Sequence, residues 1–353
     1  MPQTNSAARQ EKTADGPACR ADSGESKALA YAKKGLLLAL ASGMIWSLDG
    51  ILVSRSDPYE PFSNPKFWLL AFVFCAGTHD FCSALLTTLV NWRAGRLREL
   101  GRSFISKPGR SVIAGSLMGS AMGLGCYMAA LKLAGPAYVL PITSLYPAVA
   151  AVLAVFVLKE KISPRAWIGL GLCIVGAVVI GYTPPDSQSG DLFYLGLLCA
   201  GLAALGWGVQ GVCSTSGMDF IDPLVALNMY YLISAALYVV FVIPVVAFGL
   251  LPEANGAQAL TQFVLSPGTL FVGLAGFIGA TAYMCWFRAM NMTGVSRAMA
   301  LNISYALWGI LFSSLFTDVE ITKNLVAGAA VILVGMLLVV GNPREMLNLR
   351  TVD

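Results

Sequence analysis

Residues 35–53 read GLLLALASGMIWSLDGILV, nineteen residues with one ionisable side chain, Asp49. That stretch decides the fold class. A bilayer core of roughly 30 Å takes about 20 apolar residues of helix. In lipid, only helices and closed barrels satisfy their own backbone groups. The run is continuously apolar and does not alternate, so it reads as a helix rather than a barrel strand. A second run, Ala166–Gly181, reads the same way.

Working outward, the whole chain fits this reading. It is 57% hydrophobic and 12% charged, where a soluble domain carries about 25% charged residues. Its mean hydropathy is +0.71. Ten apolar segments are expected, at 34–54, 67–90, 111–131, 137–158, 165–182, 191–213, 223–249, 268–288, 295–316 and 325–341. Residues 1–30 are polar and lack an apolar h-region, so they read as a disordered tail and not as a cleavable signal peptide. Residues 344–353 read as a second tail.

The connections set the orientation. The loop Asn91–Arg110 carries Arg93, Arg96, Arg98, Arg102, Lys107 and Arg110. Lys159, Lys161 and Arg165 lie between segments four and five, and Lys27, Lys33 and Lys34 precede the first. Pro184–Asp191 has two aspartates and no cation, and Leu250–Gly268 has only Glu253. The positive-inside rule then puts both termini in the cytoplasm, and the plasma (inner) membrane is the expected location. Met218–Pro223 is an exception, acidic where the rule expects an inner loop.

The chain repeats itself. At an offset of 159, Cys126 falls on Cys285, Ala130 on Ala289, Gly135 on Gly294 and Tyr146 on Tyr305. Ile162, Ser163, Gly169 and Gly176 fall on Ile321, Thr322, Gly328 and Gly335. Trp46 matches Trp207 at an offset of 161. The expected architecture is an all-α membrane protein of ten transmembrane helices in two five-helix repeats, 31–183 and 190–343. Five is odd, so the second repeat runs opposite to the first. Inverted repeats place a substrate site near the midplane and permit alternating access.

Chemistry-bearing motifs of enzymes are missing from the sequence: no Walker loop, no GxSxG and no HExxH. A channel's filter motif or charged ring is not evident either. The eight cysteines stand singly with no CxxC pair, and His79 is the lone histidine, so no metal site or cofactor is expected. No nucleic-acid partner is expected. What remains is a set of mid-helix residues. Trp46 and Trp207 (helices 1 and 6) and Tyr146 and Tyr305 (helices 4 and 9) sit far from the interfacial belts that aromatic residues favour. They read either as helix packing or as a box around a cation. Asp49, one turn beyond Trp46, reads as a counter-charge or as a solvated carboxylate, and its match in the other half is Gln210. His79 and Asp80 in helix 2 read as a proton carrier or as a polar pair locking helices. Asn302 and Ser304, with Thr143 and Ser144, read as ligand-hydroxyl partners or as bonds between helices.

The inverted repeat, the two tryptophans and the run Leu158–Ser163 (LKEKIS) resemble the drug/metabolite transporter superfamily in its EamA-type branch. Within it, Thr78-His79-Asp80-Phe81, Leu301-Asn302-Ile303-Ser304-Tyr305 with Trp308, and Tyr146-Pro147-Ala148 resemble the LicB-type choline permeases. That resemblance implies a cage for a quaternary ammonium built from Trp46, Trp207, Tyr146 and Tyr305. It also implies an acidic residue soon after the helix-6 tryptophan, where this chain has Val209-Gln210-Gly211. Either Asp49 supplies that charge from the other half, or the substrate differs.

The expected function is therefore secondary active uptake of choline or a related quaternary amine. Export of amino acids or other metabolites on the same fold is the alternative, and a non-transporting scaffold is a more distant one. The expected partners are an organic cation and membrane lipids. The glycine-rich stretch Gly115–Gly125 suits either close helix crossing or a homodimer contact.

Overall fold

The computed structural model describes residues 17–134, 139, 142–143, 145–181, 193–250, 255–316 and 323–340. Among these residues the regular structure is helical and no strand occurs. Residues 1–16, the loop Pro184–Asp191, Gly135, Ser144 and the tail 344–353 lie outside the described residues.

The first helix, α1, runs Pro17–Ser54 and its apolar part is Leu29–Ser54. Residues 17–30 were expected in a disordered tail, and instead they extend this helix. Proline is tolerated at a first helical position. Ala, Glu and Lys are good helix formers, and propagation from an existing helix costs no new nucleus.

Then follow α2 (Trp68–Arg93), the short α3 (Leu97–Ile105), α4 (Lys107–Leu117), a π-helical stretch Met118–Leu124, and α5 (Gly125–Ala134). Next are α6 (Tyr146–Val157), α7 (Pro164–Gly181), α8 (Phe193–Gly217) and α9 (Pro223–Ala236), which continues through two π-helical stretches, Leu237–Val242 and Val245–Leu250. The chain ends with α10 (Gly256–Leu265), α11 (Pro267–Thr293), α12 (Val295–Asn302), α13 (Tyr305–Phe316) and α14 (Lys323–Val340).

Among the described residues, five helices are long and apolar enough to cross a membrane: Leu29–Ser54, Pro65–Arg93, Phe193–Gly217, Pro223–Leu250 and Pro267–Thr293. Tyr146–Val157, Pro164–Val179 and Val326–Val339 are shorter apolar helices. The segment expected at 111–131 is interrupted by the π stretch, and the one at 295–316 breaks between α12 and α13.

Four helix starts share one local rule. Ser106, Ser163, Asp222 and Ser266 each stand one or two residues before a proline and accept a backbone N–H of the new helix. The side chain satisfies an orphan donor, and proline needs no partner for a missing N–H. The start of α12 uses a longer reach. The Glu160 carboxylate accepts Val295 N–H at 2.8 Å and the Ser296 hydroxyl at 2.6 Å. Its charge there opposes the positive end of the helix.

In packing, α1 lies along α11, α2 lies between α9 and α11, and α8 receives α4, the π stretch, α5 and α6. The helices α7 and α14 pair with each other. The acidic loop Met218–Pro223 now has an explanation. Asp222 pairs with Arg96 at 3.0 Å, so its charge is taken up by the basic α2–α3 connection.

Candidate functional site

A cavity of about 330 Å³ lies among these helices. Trp46, Asp49, His79, Thr143, Tyr146, Trp207, Asn302 and Tyr305 all line it. Gln210 and Asp80 do not. Gln210 is fully buried against Gly119, and Asp80 sits behind His79.

The break between α12 and α13 builds one wall. There the chain turns at Ile303–Ser304, freeing backbone around Asn302 and Tyr305. The helix α1 approaches this break closely, because a Cβ on Gly43 would stand 2.9 Å from Asn302 O and 3.0 Å from Tyr305 N. The Ser47 hydroxyl donates to Tyr305 O at 2.6 Å. Asn302 donates to Ser42 Oγ at 3.0 Å and accepts the Tyr146 hydroxyl at 3.2 Å. Asn302 and Tyr146 therefore orient each other at the cavity edge.

The rings form two groups. Trp46 lies 5.1 Å from Tyr283 and meets His79 edge-on at 6.2 Å. Tyr283 in turn stacks on Tyr230 at 5.9 Å and meets Trp286 at 5.0 Å. On the other side Trp207 lies 5.3 Å from Tyr127 and 6.3 Å from Tyr146. Tyr127, Tyr230, Tyr283 and Trp286 were not singled out from the sequence. The repeat could have found two of them, since the offset of 159 sets Tyr127 on Trp286, and both line the cavity.

The charged part is compact. His79 Nε2 lies 3.1 Å from Asp49 Oδ1, and its Nδ1 lies 2.9 Å from Asp80 Oδ1. The Ser234 hydroxyl donates to the other Asp80 oxygen. Asp49 is buried, which removes the solvated-carboxylate reading. An ionised carboxylate only accepts, so both imidazole contacts need N–H donors. With two protons on the ring, the trio carries one net negative charge. A third proton makes it neutral. A net charge held out of water calls for a counter-ion, so the cluster suits a cation, a proton or their exchange. Among the described residues, no group of three or more His, Cys, Asp or Glu could hold a metal ion.

A buried bundle of apolar helices around an aromatic and acidic cavity defines a polytopic membrane transporter. A sequence model of the EamA-like transporter family matches residues 33–182 and again 194–341, and the chain belongs to that family. It is 26% identical over 283 residues to the protein LicB of Haemophilus influenzae, covering 78% of this chain and 87% of that one. It is 27% identical over 191 residues to the uncharacterized transporter YoaV of Bacillus subtilis, covering 54% of this chain and 61% of the other. A solved crystal structure superposes with a TM-score of 0.64 at 19% identity, covering 87% of this chain and 97% of that one. That last likeness shows the fold alone. The family carries small molecules, and the chain is a multi-pass membrane protein.

Proposed function

We propose that the chain takes up choline or a related quaternary amine across the plasma (inner) membrane by alternating access. The observation that carries this reading is the cavity itself: aromatic side chains from both halves of the chain line a site that also contains the Asp49 carboxylate. A quaternary ammonium has no N–H to donate, so ring faces and a nearby negative charge must recognise it. A permanent cation is also drawn inward by an interior-negative potential, at about 2.3 kcal/mol per 100 mV.

The reading includes two inverted five-helix halves, 31–183 and 190–343, with both termini cytoplasmic. The pairings of α1 with α11 and of α4–α5 with α8 support it, because the repeat offset exchanges one pair for the other. The Arg96–Asp222 pair supports placing the α2–α3 and α8–α9 connections on one side.

The substrate experiment is a thermal-shift titration of purified protein with choline and with 3,3-dimethylbutanol, which puts carbon in place of the charged nitrogen. Choline is expected to stabilise the protein and the alcohol is not. Equal binding would leave only a greasy pocket and end the cation reading. The His79 cluster is the place for a coupling proton. His79→Gln is expected to flatten the pH dependence of uptake while choline still binds, and an unaltered profile in a folded variant removes that role.

A further inference from the structure

On the back of α2, away from the cavity, lies an open trough of about 790 Å³ between α2 and α9. Its floor is small: Ala84 and Ala235 are buried there. Its walls are large and exposed, with Phe81 48%, Leu85 51% and Trp92 62% accessible. A flat lipid-facing surface has no such floor. The trough runs from Phe81 to Trp92 along α2, about 16 Å at 1.5 Å per residue. That is about half of a roughly 30 Å hydrocarbon core, the depth of one leaflet.

One end of the trough is cationic. Arg93 lies one turn beyond Leu89 on the same helix face, and Arg98 follows Leu97, which closes the trough at its end. Both arginines are exposed. Arg96 between them is committed to Asp222. Trp92 lines the trough next to Arg93, at the end of α2, and tryptophan beside a cation at a helix end suits the headgroup region.

We propose that this trough holds one acyl chain of an anionic phospholipid, with its phosphate between Arg93 and Arg98. An apolar channel one leaflet deep, ending on two arginines that form no ion pair among the described residues, is complementary to that molecule and not to a zwitterionic one. The proposal rests on the chain being embedded in a membrane and not on what it transports, so its failure and that of the choline reading are separate events.

The test uses the full chain in nanodiscs of phosphatidylcholine and phosphatidylglycerol in equal parts, released into native mass spectrometry. Retained lipid is expected to be enriched in phosphatidylglycerol by at least about fivefold, the scale of one cation near a charged lipid. Arg93→Gln with Arg98→Gln should bring the ratio close to even, and high salt should do the same to the parent. Ala236→Trp, which fills the trough, should lower retained lipid of both kinds. An even ratio in the parent overturns the proposal, as does a preference that survives in the double variant. So does a change in oligomer mass on Ala236→Trp with lipid unchanged, which would make the trough a contact between copies.

Discussion

Two seams between helices differ in how they are held. The α2–α9 seam is bonded from mid-membrane to its end. Ser234 donates to Asp80, Thr87 and Thr88 donate to Asn228 at 3.1 and 3.0 Å, Asn91 donates to Leu224 O at 2.9 Å, and Arg96 pairs with Asp222. The seam of α8 against α4 and the π stretch is made by close approach instead. Gly115 faces Cys213, Gly119 faces Gln210, and Gly123 lies under Trp207. One side-chain hydrogen bond crosses it, from Ser111 to Cys213 O at 2.8 Å. Gln210 and Ser214 are buried there without a partner among the described residues. Separating the first seam breaks hydrogen bonds in a low dielectric. Separating the second breaks mainly packing. Both seams bury amide atoms unpaired among the described residues, Asn91 Oδ1 and Asn228 Nδ2 in the first and those of Gln210 in the second, so the difference lies in the bonds that cross them. We infer that, in the proposed alternating-access cycle, the bonded seam stays together and the seam of close approach opens.

The largest effect comes from locking the second seam. A Cβ placed on Gly115 would stand 3.0 Å from Cys213 Cβ, a few tenths short of the usual disulfide spacing of about 3.5–4.5 Å. Gly115→Cys, oxidised against the native Cys213, should stop choline uptake in vesicles, and reductant should restore it. Choline binding, read by thermal shift, should persist in the locked protein. Uptake by fully cross-linked protein at the reduced rate would show that this seam stays closed through the cycle.

The next effect breaks the bonded seam. Asp80→Leu leaves the Ser234 hydroxyl and one His79 nitrogen buried and unpaired. Removing one partner of a buried charged pair costs about 3–5 kcal/mol. Thermal unfolding in detergent should show that loss. A variant as stable as the parent would mean the ladder contributes packing alone, and the contrast between the seams would fall.

The ring groups extend the comparison to the cavity. Trp46 stands on the fixed side, against His79 and Tyr283, whereas Trp207 is backed by Gly123 at the opening seam. Either Trp→Leu change keeps apolar bulk and removes the ring face. Each should weaken choline binding by about tenfold, or about 1.4 kcal/mol. Tyr146→Phe and Tyr305→Phe keep the ring and should cost less than Leu at the same positions. Calorimetric titration of these six variants checks the order, and Leu binding as well as Phe at the tyrosines would mean that ring faces contribute nothing.

The fold class was legible because apolar length in a bilayer leaves the backbone few options, as Gly35–Val53 shows. The candidate cavity was legible in part. Trp46, Asp49, Tyr146, Trp207, Asn302 and Tyr305 converge on it, and a repeat that doubles an aromatic residue was the readable signal. Tyr230 and Tyr283 escaped because a tyrosine in an apolar helix looks the same whether it faces lipid, core or cavity. The Asp49–His79–Asp80 trio escaped because a contact between residues 30 apart leaves no mark in spacing. Adjacent side chains diverge by about 100° on a helix, yet the imidazole bridges both carboxylates by turning back on its own neighbour. Gln210 shows the limit of the repeat argument. Matching Asp49 in register placed it in the site, but although Trp46 and Trp207 both line the cavity, Gln210 meets Gly119 instead.

That residue also gives the smallest and most discriminating expectation. Gln210 is 1% exposed, and neither its amide nitrogen nor its oxygen has a partner among the described residues. A buried amide left unpaired costs about 1–3 kcal/mol, and replacing it by an apolar group of similar shape removes that cost. Gln210→Leu should therefore leave thermal stability within about 0.5 kcal/mol of the parent or raise it, the opposite of Asp80→Leu. Uptake should slow all the same. Leucine fits the closed seam and has nothing to gain from water, so it favours the closed conformer over the open one. A stable variant with slower uptake and unchanged choline affinity fits a seam that opens onto water around Gln210. A variant that loses about 1 kcal/mol or more would mean the amide is bonded in the closed state, and the two seams would then be held alike.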